Sequence, residues 1–282
     1  GGGGVSREDV IGAVASDVLT RIPNSFDMPV IKKQIGVPSP IQIVLLQELA
    51  LWNLLVEKIS STLKSLQKAL AGEIGMSGDL DALATSLFNG QLPVAWAKMT
   101  AATEKKLGSW ILWFEKRFTQ YESWVRNGEP TVMWLSGLHI PETFTAALVQ
   151  TACREKGWPL EKGALYTEVT KHVAPNTITE KPAHGAYIQG LYLEGAAWDL
   201  TTSRLVRQTP KVLVQELPIL QFIPIEASKL KLQNTFKTPV YVTQSRRNAM
   251  GVGLVFEADL ATHEHASHWT LQGVALTLNI DQ

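Results

Sequence analysis

LLQELALWNLLVEKISSTLKSLQKAL, residues 45–70, is the stretch that settles what kind of molecule this is. Leu45, Leu49, Trp52, Val56, Ile59, Leu63, Leu66 and Leu70 follow one another by alternating steps of four and three. A 3.5-residue apolar repeat held this long predicts a helix packed lengthwise along another helical surface. The opposite face turns polar after Asn53, with Glu57, Ser60, Lys64 and Gln67, so only the first half is expected to be wrapped on all sides. That first half is the most apolar run of the sequence: 12 of the 16 residues 41–56 are apolar. Gln42, Gln47, Glu48 and Asn53 interrupt it, and a membrane-spanning helix needs about 20 largely apolar residues. The run therefore reads as a buried helix, and no membrane span or secretory signal is expected.

Outward from this helix the same periodicity continues on both sides. Residues 6–22 read as a short helix with Ser6 as N-cap, Glu8 and Asp9 in its first turn and Pro23 beyond its end. Residues 24–40 read as a Pro-punctuated connection. Ser77 caps a helix expected to run to about Phe88, stopped by Asn89-Gly90. A helix over residues 103–126 places Leu107, Ile111, Phe114, Phe118, Tyr121 and Val125 on one stripe, and Pro141 opens another that ends at Gly157. Trp113 and Trp124 fall off the stripe. At about 100° per residue they lie within about 20° of each other and roughly 100° from its centre, which predicts a second packing surface.

Near residue 180 the pattern switches from helical spacing to alternation, with Gly and Pro punctuation. Strands are expected over residues 186–194, 204–208, 212–214, 219–225, 240–244, 254–258 and 268–278, with 165–173 as a further candidate. Short strands without intervening helices predict an antiparallel sandwich or barrel. The expected architecture is α+β: an N-terminal helical region over residues 24–180, then a small antiparallel β-barrel over 181–282.

Composition narrows the function classes. The protein has 282 residues, 45% apolar, enough for one or two cores. Its 26 basic and 26 acidic residues cancel, which argues against nucleic acid or an anionic membrane as partner. Residues 181–282 alone hold nine Lys/Arg against eight Asp/Glu, so the change near residue 180 is not electrostatic. The single Cys153 excludes an internal disulfide, fits a reducing compartment and reads as a buried mid-helix thiol. The opening Gly1–Gly4, with no initiator Met, reads as the start of a piece of something longer, the glycines being either a native flexible joint or a cloning remnant.

Motifs that carry chemistry are sparse. No G-x-x-x-x-G-K-[ST] occurs, and Gly251-Val252-Gly253 reads as a turn or bulge. Trp134-Leu135-Ser136-Gly137-Leu138-His139 holds Ser and His without a G-x-S-x-G elbow and reads as a capped turn. His263, His265 and His268, with Glu264, have metal-ligand character but are expected in a solvated connecting turn. Glu194 and Asp199 bracket Gly195-Ala196-Ala197-Trp198 and are expected to bond backbone amides at a strand bend. No catalytic, cofactor-binding or metal-binding residue is assigned, and an independent enzyme is the weakest reading.

Gly190-Leu191-Tyr192-Leu193-Glu194-Gly195-Ala196-Ala197-Trp198-Asp199 resembles a signature of the C-terminal region of dynein heavy chains. Other motifs follow in an order similar to that family: Pro93-x-x-Trp96, Trp110, Gly128-x-Pro130-x-x-x-Trp134-Leu135-Ser136-Gly137, Pro141-x-x-Phe144-Thr145, Pro239-x-Tyr241 with Arg246, and His268-Trp269 before Gly273-Val274-Ala275-Leu276. They cover roughly residues 70–280, while residues 1–23 resemble the end of the sixth AAA+ module. Thr238 stands before Pro239 where many members have Cys, and Met250-Gly251-Val252-Gly253 replaces a Thr-Gly-His run. Gly253-Leu254-Val255-Phe256 with Ser267-His268-Trp269 looks closer to axonemal outer-arm members than to cytoplasmic ones.

The resemblance implies a regulatory, non-catalytic part of an axonemal microtubule motor, in the axoneme of a cilium or flagellum, that packs on the AAA+ ring of the same heavy chain. ATP and Mg would act in the parent motor, which would also provide contact with microtubules and other dynein subunits. Candidate ring contacts are the apolar residues left over once each core stripe is filled: Leu46, Leu51, Trp113 and Trp124. The alternative, of a different class, is a β-barrel that recruits another axonemal protein or a ligand, with the helices as attachment.

Overall fold

Ser39-Pro40 opens the longest helix of the computed structural model, which describes residues 3–248 and 251–280. Gly1, Gly2 and Met250 lie outside the described residues. Helices α1 (Arg7–Arg21) and α2 (Met28–Ile35) precede α3 (Pro40–Leu70), and α4 (Gly78–Phe88), α5 (Val94–Ala97) and α6 (Leu107–Asn127) follow it. The start of α3 is fixed by a reciprocal pair: the Gln42 amide donates to the Ser39 hydroxyl at 3.2 Å and the Ser39 amide to the Gln42 side chain at 3.0 Å. Ser6 and Ser77 cap α1 and α4 as expected.

The heptad residues of α3 form the spine of the helical part. Leu49, Ile59, Leu63 and Leu66 are fully buried, and α1, α2, α4, α5, α6 and α7 (Pro141–Lys156) all pack against α3. Trp52 stacks on Phe114 at 4.3 Å between ring centres and meets Tyr121 edge-on at 5.4 Å. Aromatic pairs of this geometry contribute about 0.5–1.5 kcal/mol beyond the area they bury.

Two readings of the helical part change. Residues 24–40 contain α2, which Asp27 caps by accepting from the Val30 amide at 3.2 Å; two flanking prolines disguised a two-turn helix as a connection. Helix α6 starts at Leu107, four residues later than expected from 103.

The strands before α8 are β1 (Val132–Trp134), β2 (Gly163–Val169), β3 (Ala186–Gln189), β4 (Tyr192–Glu194), β5 (Ala197–Asp199), β6 (Arg204–Val206), β7 (Val214–Glu216), β8 (Leu220–Glu226), β9 (Thr235–Thr243), β10 (Arg247–Asn248), β11 (Gly251–Val252) and β12 (Leu254–Ala261). Helix α8 (Ala266–Leu271) and β13 (Ala275–Asn279) follow. A four-stranded sheet has the order β1-β3-β8-β2, and a five-stranded sheet the order β12-β9-β13-β4-β7. The expectation of a strand over 268–278 is corrected at its start. The His265 ring accepts from the Ser267 amide at 3.1 Å and begins a short helix, and Gly273 (φ 67°) turns the backbone into β13.

The closed antiparallel barrel is also corrected. The α+β class stands, but the sheets do not close, and two pairings, β1 with β3 and β9 with β13, are parallel. Two breaks separate the sheets. Gly190 (φ 89°) stands between β3 and β4, where a Cβ would meet the Trp134 ring at 2.7 Å. Pro218, which has no N–H to donate, stands between β7 and β8. At the other margin β2 and β12 share no ladder. Thr167 and Asp259 join them instead: the Asp259 amide donates to the Thr167 hydroxyl at 2.7 Å, and the Thr167 amide to an Asp259 carboxyl oxygen at 3.3 Å. The four-stranded sheet also crosses residue 180: β1 comes from the stretch read as helical, and β2 is the further strand candidate at 165–173, shifted to 163–169.

Candidate functional site

The exposed face of α3 is apolar along its first half. Ile43 and Leu54 are 40% and 52% exposed. Gln47 and Ala50, which share their side of the helix, are exposed between them, and Leu46 and Leu51 flank the stripe half-buried. Beyond Leu54 the face continues through the exposed Glu57, Lys58 and Ser61. A helix with a filled core side and a second apolar side is the pattern of an element with a further partner. Leu46 and Leu51 thus sit at the edges of an uncovered strip, and the sequence reading passed over its centre, Ile43 and Leu54.

Trp113 and Trp124 are placed differently. The two are 7% and 3% exposed. Trp113 packs beside Trp110 at 6.3 Å, with the Arg117 guanidinium 4.8 Å from its ring centre. Trp124 meets Phe144 of α7 edge-on at 6.4 Å and closes the floor of a groove of about 620 Å³ that Ile31, Ile35 and Leu45 also line. The second packing surface that their angles predicted exists, and for Trp124 it is α7 of the same molecule.

Behind the stripe lies a buried polar cluster. Glu48, Arg117 and Tyr121 are 1%, 2% and 0% exposed. One Glu48 carboxyl oxygen accepts from the Tyr121 hydroxyl at 2.7 Å and the His139 amide at 2.5 Å; the other accepts from the Ile140 amide at 3.0 Å. Arg117 donates to the Gly137 carbonyl at 2.8 Å, the Thr100 hydroxyl at 3.2 Å and the Tyr121 oxygen at 2.9 Å. Its guanidinium also lies 5.2 Å from the Trp52 ring centre. Buried charged groups persist where their donors and acceptors are matched, as here. Burial raises the pKa of the Tyr121 hydroxyl, with Arg117 opposing. It holds the His139 imidazole below its ordinary range, with Glu48 opposing and Arg117 adding. The segment Trp134–His139 is a strand end and a 3₁₀ turn, with Ser136 buried. The only sequence signal of this cluster is Glu48 itself, an acid in the middle of an apolar run.

The remaining candidates are scattered. Asp199 accepts from the Thr201 amide at 2.9 Å and the Thr202 hydroxyl at 2.8 Å, which lowers its pKa. Glu194 departs from the expected amide bonding and pairs with Arg246 at 2.6 Å; Arg246 also donates to the Gly273 carbonyl at 2.9 Å. This clamp ties the ends of β4, β9 and α8 together. His263 and His265 are exposed on the turn between β12 and α8, where His265 serves as a cap. Cys153 is buried in α7, its Sγ 3.9 Å from the Pro159 carbonyl. Gly251-Val252 forms the second strand of a small hairpin beside the register shift at Leu254/Phe256. No described helix is long and apolar enough to cross a membrane.

A family model described as the C-terminal domain of the dynein heavy chain matches residues 1–278. Over all 282 residues the sequence is 64% identical to the Dynein-1-alpha heavy chain, flagellar inner arm I1 complex, of Chlamydomonas reinhardtii. It is 54% identical over 279 residues to Dynein axonemal heavy chain 10 of Homo sapiens, and 33% identical over 280 residues to Dynein axonemal heavy chain 17 of the same organism. These matches take in 100%, 99% and 99% of this protein but 6% of each relative, so it spans a small part of the length of the proteins it resembles.

Proposed function

The protein belongs to the family defined by the C-terminal domain of dynein heavy chains, and on that premise we propose that it is the non-catalytic C-terminal region of an axonemal dynein motor, seated on the AAA+ ring by the outer face of α3. Identity of 64% and 54% to axonemal and flagellar heavy chains supports placement in the axoneme of a cilium or flagellum. The name of the algal relative favours an inner-arm member over the outer-arm assignment suggested by residues 253–269. ATP hydrolysis with magnesium, and contact with microtubules and other dynein subunits, belong in this reading to the rest of the parent heavy chain. Residues 1–23 complete the preceding AAA+ module, and the remainder biases how neighbouring modules move as ATP turns over elsewhere.

The observation that carries the proposal is the apolar strip Ile43, Leu46, Leu51 and Leu54 on a helix whose other side is already filled. Trp113 and Trp124 are covered within the molecule, at 7% and 3% exposure, so the proposed seat is the strip and not this pair. The test compares gliding velocity, stall force and basal ATPase of the parent motor with and without residues 24–282, and then with Ile43→Glu and Leu54→Glu. Changed motility in both the deletion and the paired substitution supports the reading. Unchanged motility with a stable ring refutes it.

A further inference from the structure

We propose that Glu48 is a latch that α3 sets on the start of α7, and that the helical part and the two sheets move as one body only while it is closed. Helix α7 has no side-chain cap of its own: Ile140 occupies its N-cap position and offers no acceptor. In place of a local cap, the entry to α7 is held from 92 and 91 residues away, by the Glu48 carboxyl oxygens on the amides of Ile140 and His139. Tyr121 and Arg117 hold the latch from α6, the first by its hydroxyl on Glu48, the second by its bonds to Tyr121 and to the Gly137 carbonyl just ahead of the helix. Two helices thus converge on the first residues of a third.

Helix α7 packs on α3 on one side and on β2, β8 and β12 on the other, so it touches both halves; α6 also reaches β1, through the Gln120 side chain on the Trp134 backbone. Its first turn borders open space. A cleft of about 810 Å³ is walled by His139, Pro141 and Glu142, by residues 97–104 ahead of α6, and by Val242, Thr243 and Ser245 at the end of β9. With the carboxyl withdrawn, two amides lose their acceptors beside a space into which the turn can swing. The latch operates whether or not α3 docks on a ring, and it is tested in the 282-residue protein by itself.

Glu48→Gln keeps the shape of the side chain but replaces one accepting oxygen with an NH₂ donor. The expected result is amide hydrogen exchange about tenfold faster at residues 139–143, as for a buried donor left without its partner. A broader distance distribution between spin labels at Glu104→Cys and Lys237→Cys should accompany it, with exchange in the interiors of α3 and α6 unchanged. Adding Ile140→Ser, whose hydroxyl as a local cap accepts from the amides of residues 142 and 143 rather than from those of 139 and 140, should slow exchange at 142 and 143 while residues 139 and 140 stay fast and the distance distribution stays broad. Unchanged exchange at 139–143 overturns the proposal, and so does uniform acceleration across α3, α6 and α7 with a narrow distance distribution. If the Glu48→Gln variant does not fold, Tyr121→Phe, which removes one of the donors to Glu48, is read by the same two measurements, and no change in either overturns the latch.

Discussion

Asp259 is 5% exposed at the margin where β2 meets β12, and Lys237 and Glu257 lie near enough to act on its charge. Burial raises its carboxyl pKa above the ordinary 3.8, while the Thr167 amide and Lys237 pull it back. A folded pKa above the unfolded one means that the folded protein binds the proton more tightly. The contribution of this group to stability is therefore greatest below the unfolded value and is lost as pH rises through the folded value. Asp259→Asn should remove that slope, so that the denaturation midpoint of the variant declines less between acid and neutral pH. Parallel pH profiles for the two proteins would show that another group carries the dependence. Neither Asp259 nor Glu48 was legible as a structural centre. Sequence spacing shows an acid out of place, but the donors to Glu48 lie 73, 91 and 92 residues away, where no local pattern reaches.

At the scale of the element, neighbouring residues of α3 separate the two sides of the helix. Leu55 is 1% exposed and Leu54 is 52% exposed. Leu55→Ala should cost about 2–5 kcal/mol in chemical denaturation through the cavity it leaves. Leu54→Ala should stay within about 0.5 kcal/mol, as surface changes do. Equal losses at the two positions would show that the outer face is covered within the molecule. The stripes of α3 and α6 were readable because a 3.5–3.6-residue period over many turns leaves few alternatives. Helices α2 and α8 were not, because two turns or fewer give no period, and their start signals, Asp27 and His265, act through hydrogen bonds that also occur in turns. The off-stripe angle of Trp113 and Trp124 does mark a second surface. Angle alone does not say whether that surface belongs to the same molecule, and Phe144 shows that for Trp124 it does.

For the whole molecule, the two classes of secondary structure are interleaved more deeply than the change of pattern near residue 180 suggests. β3 and β8 are flanked by β1 and β2, which precede that boundary. Residues 181–282 expressed alone should therefore lack cooperative thermal unfolding and show poorly dispersed amide resonances, since both flanking strands of the four-stranded sheet would be missing. A sharp two-state transition for that piece would make the sheet region autonomous and revive its reading as a separate binding module. The expectation of a barrel failed for a related reason. Alternation marks strands, but closure depends on the register at one seam, and there Thr167 and Asp259 stand in for the ladder.

The five-stranded sheet has one further consequence, for the order in which the molecule is made. Its central strand, β13, is the last described in sequence order and lies between β9 and β4. A ribosome delivers the two flanking pairs, β12 with β9 and β4 with β7, before the strand that joins them, so each waits with an open edge. Translation halted after Val274 should leave those pairs sensitive to protease while α1 to α7 are already resistant; resistance of both parts would show that the sheet closes without its keystone. In this protein a strand that emerges after both pairs joins them into one surface.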